Sequence, residues 1–226
     1  MYKEFIIIFS IIIIHELGHL LISKIYNWNL DKIEIYPFGG CIKFNEKINR
    51  PLIEEIFILI GGPLTQIILF LIITFIYKNG FISYRNYLLF KSYHKTLLIF
   101  NLLPIYPLDG GKILNCILNY FIPFKKSNKL EIIISFIIIV FIIMIYKDIN
   151  YITMMILLII ELIIYRKQQD FLLNRLLLER YLFNYNFKNK KIIKNPNDFY
   201  KEKTHLIRIN KKYIEEKDYL KIKYGG

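Results

Sequence analysis

Phe5-Ile-Ile-Ile-Phe-Ser-Ile-Ile-Ile-Ile-His15-Glu16-Leu-Gly-His19-Leu-Leu-Ile-Ser23 is the stretch whose reading decides the fold. As a helix it rises about 28 Å, close to the thickness of the hydrocarbon core of a bilayer. Three ionisable side chains sit inside it. Each costs a few kcal/mol at that depth unless something pairs it, so such residues are functional by default. His15-Glu16-Leu17-Gly18-His19 has the HExxH spacing of zinc sites. On a helix the two histidines lie about 40° apart and project from one face, where both can reach one tetrahedral zinc. Glu16 lies about 60° from His19 around the same helix, placed to act as a general base toward water without being a ligand. With 4 histidines in 226 residues, chance would produce this pattern about 0.004 times. Gly18 lets another backbone approach closely.

A catalytic zinc takes three protein ligands and keeps a fourth position open, so the two histidines need a partner. The candidates are Asp109, His94, Cys41, Cys116, Glu131 and Glu161. Asp109 is favoured because it follows the double-proline stretch Pro104-Ile-Tyr-Pro107 and precedes Gly110-Gly111. Its apolar surroundings offer no obvious cation except Lys112, and a bare carboxylate there is costly where a metal-bound one is not. His94 is expected near the outer surface, and Glu131 and Glu161 near segment ends where they reach lipid head groups. Cys41 and Cys116, 75 positions apart, support no disulfide framework and read as small apolar fillers.

Further apolar runs cover 56–77, about 87–103, 108–124, 130–146 and 149–165. Pro104 and Pro107 break any helix that would join the third run to the fourth, so the two read as one interrupted crossing. Irregular backbone at membrane depth is tolerated only where protein buries it or it lines a wet cavity. The expectation is an all-α polytopic membrane protein with five crossings and one helix broken at the candidate site. The stretch from Lys32 to Phe44 alternates around Pro37 and Gly39-Gly40, the pattern of a short β-hairpin after the first crossing. The first run lacks a small-residue cleavage site and reads as retained in the mature chain.

Composition agrees with a membrane protein. The chain is 55% apolar with mean hydropathy +0.37, which excludes a disordered protein. Residues 1–165 carry 15 basic and 11 acidic side chains, and residues 166–226 carry 16 and 7. The division expected is therefore a transmembrane domain over 1–165 and a small basic cytosolic tail over 166–226. Lipid head groups attract such lysines by about 1 kcal/mol each. No groove-reading module is present, so nucleic acid is not expected as a partner. With the tail cytosolic, the loops on its side of the membrane hold eight basic residues against Lys3, Lys78, Arg85 and Lys147 on the other, which favours that orientation.

His15-Glu-Leu-Gly-His19, taken together with Asn101-Leu-Leu-Pro-Ile-Tyr-Pro-Leu-Asp-Gly-Gly-Lys112, resembles the site-2 protease family of intramembrane zinc metalloproteases, and within it the branch that works in sporulation. Tyr36-Pro-Phe-Gly-Gly40, Asn49-Arg-Pro-Leu52, Gly62-Pro-Leu64, Phe171-Leu-Leu and Leu177-Leu-Glu-Arg-Tyr181 extend the likeness. The resemblance implies a metalloendopeptidase with one Zn2+ per chain held by His15, His19 and Asp109. It also implies Glu16 as catalytic base, and Asn101, Pro104 and Pro107 in a loop that holds the substrate. The client it implies is a membrane-associated protein, the pro-sequence of the sporulation sigma factor sigma-K. An anti-sigma factor or a remnant signal peptide is the alternative client, and membrane inhibitor proteins are implied partners. The place implied is the bacterial cell membrane, specifically the mother-cell membrane around the forespore.

A non-proteolytic zinc-binding membrane protein, such as a transporter, is the remaining alternative. It would need a polar path across the bilayer, and beyond the one cluster only Thr65, Gln66 and Thr74 are scattered along the crossings.

His15 lies eight residues before Ser23, which puts the metal about 12 Å from the cytosolic edge. Cleavage is expected near that side. A helical substrate must unwind there, and the edge of the hairpin could hold the unwound stretch by β-augmentation. Two departures from the sporulation branch stand out. Its members usually carry a membrane segment before the HExxH helix and end in a nucleotide-sensing CBS domain. Here 45 residues follow Tyr181. Asp198-Phe-Tyr-Lys-Glu-Lys-Thr-His205-Leu-Ile resembles the start of that domain, but the remnant is expected to be too short for an ordinary core, with His205 on its surface.

Overall fold

The computed structural model describes residues 2–36, 39–44, 46–183, 185, 187–195, 197–209 and 212–225. They divide into two compact units. The first comprises Met1–Glu46, Glu54–Leu103 and Leu108–Gly110; the second comprises Lys47–Ile53, Pro104–Pro107 and Gly111–Gly226.

The first unit opens with α1 (Tyr2–Ile25), followed by the antiparallel pair β1 (Leu30–Tyr36) and β2 (Gly39–Phe44). Asn27 ends the helix with a left-handed φ of 53°, a conformation asparagine tolerates better than most residues. The amide of Trp28 then returns to the Ser23 carbonyl at 2.9 Å. Ile33 pairs with Ile42 across the hairpin, as the expected strand–turn–strand pattern requires. The Pro37-Phe38 turn and the Cys41 side chain lie outside the described residues. After the hairpin come α2 (Leu52–Lys78) and α3 (Tyr84–Asn101). The chain leaves helical geometry after Asn101 and resumes it in α4 (Asp109–Phe121), so the break falls where the two prolines put it. A Cβ on Gly110 would collide with the carbonyls of Leu102 and Leu103. Only glycine therefore lets the start of α4 sit so close under the end of α3.

α1 is inside out by the standards of a water-soluble helix. It buries His15, Gly18, His19 and Ser23 alongside Ile11, at helical spacing, while Phe5, Ile6, Phe9, Ile13, Leu17 and Leu21 are exposed. That stripe makes sense only where the surroundings are apolar. α1, α2 and α5 (Phe124–Ile145) are, among the described residues, helices long and apolar enough to cross a bilayer. The protein is an integral membrane protein with a mostly helical fold.

The second unit continues with α5, α6 (Ile149–Lys167) and α7 (Gln169–Leu182). Beyond them lie β3 (Lys190–Ile193), β4 (Thr204–Ile209), β5 (Lys212–Glu215) and α8 (Glu216–Tyr224). β3 runs parallel to β4, and β5 pairs antiparallel on its other side. α5 repeats the inverted pattern, burying Ser127, Asn128, Glu131 and Ser135.

The expectation that the chain beyond Tyr181 has too few residues for an ordinary core is corrected here. Ile193, Phe199, Tyr200, Ile207 and Leu220 close a core with Leu173, Leu176 and Leu177 of α7 and Phe124 of α5. The late strands succeed because they do not build alone: α7 and the start of α5 supply four of the nine buried side chains of this core. His205, expected on the surface, is 1% exposed. Its ring stacks near Phe199 and Tyr200 and bonds Glu216.

Candidate metal centre

His15, His19 and Asp109 converge within the first unit, and all three are buried. The helix supplies the two histidines four residues apart, and the break after α3 delivers Asp109 to them. Asp109 is the first residue of α4, where the helix dipole favours a negative charge. Nε2 of His15 lies 2.9 Å from Oδ2 of Asp109, and Nε2 of His19 lies 3.3 Å from the same oxygen. The two Nε2 atoms are 3.1 Å apart.

Proton bookkeeping shows what such a triangle needs. Nδ1 of His19 lies 2.7 Å from the Ile58 carbonyl, which can only accept, so that nitrogen carries the hydrogen. Nδ1 of His15 lies 3.0 Å from Oε1 of Gln66, and the Gln66 amide nitrogen donates to the His94 carbonyl at 3.0 Å, which fixes the amide so that its oxygen faces His15. In the neutral rings, with the hydrogens on Nδ1, the two Nε2 atoms and the carboxylate oxygen all turn lone pairs toward one another. A cation between them turns that repulsion into coordination. Zinc bound to nitrogen and oxygen at about 2.0–2.1 Å in a tetrahedron separates its ligands by about 3.3–3.4 Å, close to the spacing observed. Two imidazoles and one carboxylate are also a donor set zinc accepts. The residues present fit the ion.

Small residues on α2 make the approach possible. A Cβ on Gly18 would collide with the Gly61 carbonyl and the Thr65 hydroxyl, which bears out the close backbone approach expected at Gly18. A Cβ on Gly62 would overlap Nε2 of His19 and lie 2.7 Å from Nε2 of His15. Gly62 is thus the floor beneath the ligand atoms. Thr65 places its hydroxyl 3.1 Å from the Ile14 carbonyl, one turn of α2 beyond Gly61.

Glu16 and the other candidates are not members of this trio. Glu16 is half-buried on α1, one residue from His15. Asn101 is the last residue of α3, and Pro104 and Pro107 frame the break that follows. His94, expected at the outer surface, is 6% exposed on α3, with its ring stacked on Phe70 at 4.7 Å between centroids. It is buried because α3 turns that face toward α2. Glu131, expected to reach head groups, is 1% exposed and belongs to the second unit, where Asn115 donates at 2.6 Å and Tyr165 at 3.0 Å. These neutral donors do within the protein what head groups were expected to do. Cys116 is buried on α4, consistent with a filler, and Glu161 is half-buried on α6.

Reading the sequence alone missed Gly62 and Gln66. The available signal was their spacing: four residues apart on α2, with Thr65 between them in an otherwise apolar run, they share one face.

Comparisons with known proteins agree with this geometry. The model of peptidase family M50 matches residues 4–91 and 77–145. Stage IV sporulation protein FB of Bacillus subtilis is 36% identical over 130 residues, covering 58% of this chain and 45% of that protein. A zinc metalloprotease of Methanocaldococcus jannaschii is 34% identical over 129 residues, covering 56% of this chain and 37% of the relative. The chain thus spans less than half the length of these two relatives. Among solved structures, a site-2 protease from Methanocaldococcus jannaschii superposes with a TM-score of 0.55 at 27% identity, covering 74% of this chain and 76% of that one.

Proposed function

The chain belongs to peptidase family M50, and from that premise we propose that it is an intramembrane zinc endopeptidase whose substrate is the membrane-associated pro-sequence of a sporulation sigma factor of the sigma-K type. The observation that carries the reading is the triangle of lone-pair donors on His15, His19 and Asp109, buried on an inverted membrane helix with Glu16 beside them. Zinc held there supplies Lewis-acid chemistry toward a peptide carbonyl and the attacking water. The rest is done by the chain. Glu16 takes the proton from that water and returns it to the leaving amine. The Ile58 carbonyl and Gln66 keep the two imidazoles turned inward, and Gly62 leaves the space that the ligand atoms occupy.

Asn101, Pro104 and Pro107 hold the unwound substrate, and residues 1–165 carry the protease while 166–226 lie in the cytosol. Cleavage falls near the cytosolic side. β1 and β2 pair only with each other among the described residues, which leaves an edge for a substrate strand to join. The likeness to a sporulation protein supports the sigma-factor client and a place in the mother-cell membrane.

The test is co-expression with the pro-sigma-K of the same host. Wild type should shorten it, and Glu16→Gln and Asp109→Ala should leave it whole. A substrate left whole by wild type while purified protein still binds zinc would remove the sigma-factor client and keep the enzyme. An anti-sigma factor or a remnant signal peptide would then be tried next.

A further inference from the structure

We propose that Gln66 is a positioning residue for the metal: its side chain, held by the main chain of His94, fixes His15 in the tautomer and ring orientation that a metal ion requires. The inference rests on the reading of the centre as a metal site. Gln66 is fully buried in the middle of a membrane helix, where an amide with nothing to do would be expensive. Both ends of its amide are used on different elements. Oε1 accepts from Nδ1 of His15 on α1 at 3.0 Å, and Nε2 donates to the His94 carbonyl on α3 at 3.0 Å.

The direction of this relay is forced. A carbonyl can only accept, so the amide nitrogen must face His94 and the amide oxygen must face His15. An oxygen at that place accepts only from a nitrogen that bears hydrogen. The neutral His15 ring therefore keeps its hydrogen on Nδ1 and turns its Nε2 lone pair toward Asp109 and His19. His94 is in turn held by ring stacking on Phe70 at 4.7 Å and Phe90 at 5.9 Å. His19 is oriented differently, by a main-chain carbonyl on α2 that no substitution can remove. Of the two imidazoles, His15 alone depends on a replaceable side chain. Partners of this kind change metal affinity by about 10–100-fold when lost.

The experiment compares full-length wild type with Gln66→Met, purified in detergent. Methionine fills similar volume and offers no amide. Zinc affinity is read by competition with a chromogenic chelator, and site geometry by the visible spectrum of the Co2+ form. Wild type should bind zinc and give tetrahedral Co2+ bands. Gln66→Met should bind zinc about 10–100-fold more weakly with altered bands, while eluting as the same species. Equal affinity and identical bands in the folded variant would overturn the inference and leave the metal site standing. Absence of zinc binding in wild type would remove both. A second measurement needs no variant: nitrogen-15 spectra of histidine-labelled, metal-free wild type should show His15 as the Nδ1–H tautomer. The Nε2–H form would sink the proposal even if Gln66→Met failed to fold.

Discussion

His15, His19 and Asp109 in the first unit and Arg180, His205 and Glu216 in the second are two buried clusters of ionisable side chains built in different ways. Around Arg180 every donor meets an acceptor. Its Nε reaches Asn49 Oδ1 at 2.7 Å; one terminal nitrogen reaches the Lys203 carbonyl at 2.9 Å and Glu216 at 3.0 Å; the other reaches the carbonyls of Tyr200 at 2.7 Å and Lys201 at 2.6 Å. That uses all five donors a guanidinium has. His205 completes the set, receiving the Tyr200 amide on Nε2 at 3.0 Å and bonding Glu216 through Nδ1 at 2.8 Å. Around Asp109 two imidazole nitrogens and a carboxylate oxygen crowd within 3.3 Å of one another, the two Nε2 atoms 3.1 Å apart. A cluster whose donors and acceptors match holds a fold together by itself, whereas three potential ligand atoms gathered at one point suit a cation.

The comparison breaks most visibly if one member of each cluster is removed. Asp109→Ala should abolish zinc binding, a larger effect than the roughly 10–100-fold expected for an outer partner. Because it removes a carboxylate buried at membrane depth, the metal-free protein should be no less stable. Destabilisation of the metal-free form would mean that the triangle is a structural network after all. Gly62→Ala sharpens the same point. Alanine is the better helix former by about 1 kcal/mol, yet its Cβ would overlap the ligand nitrogens, so zinc should be lost while α2 stays helical by circular dichroism. Arg180→Ala should do the reverse. Leaving Glu216 and three carbonyls without their donor should cost about 3–5 kcal/mol, read as faster hydrogen exchange over residues 199–216, with zinc affinity of the folded protein unchanged.

How much of this was legible in the sequence follows from the range of the forces involved. The apolar helices, the break at Pro104 and Pro107, and the trio His15, His19 and Asp109 rest on local pattern and on the cost of charge in an apolar medium, so they can be read residue by residue. The pairing of β1 with β2 followed from alternation around the Gly39-Gly40 pair. Gln66 and His94 were visible as polar residues but not as partners, because their link joins three helices and depends on which way one amide faces. The late sheet was hidden for a different reason. Its strands are four to six residues long, too short to signal themselves, and their core is completed by α7. Glu131 was misplaced because a position near a segment end says nothing about the donors brought by Asn115 and Tyr165.

The smallest effect concerns protons at the Arg180 cluster. Burial, helped by the charges of Arg180 and Lys203, pushes the His205 imidazole below its ordinary value of 6.5 despite Glu216. It is neutral when folded, as its acceptance of the Tyr200 amide requires. For Glu216 burial alone would raise the value, but the His205 hydrogen bond and the Arg180 charge outweigh it and hold the carboxyl below 4.5. Both groups bind fewer protons folded than unfolded, so stability rises with pH. The contribution of His205 is complete above about pH 6.5 and declines as the pH falls below it; that of Glu216 is complete above about 4.5 and declines below that. Hydrogen exchange over residues 199–216, corrected for its intrinsic pH dependence, should therefore show protection decreasing in two steps between pH 7.5 and 3.5. In His205→Gln the upper step should vanish and the lower one remain. A single step near 4.5 in wild type would mean that His205 titrates alike in the folded and unfolded chain, and that the fit around its ring imposes no preference on its charge.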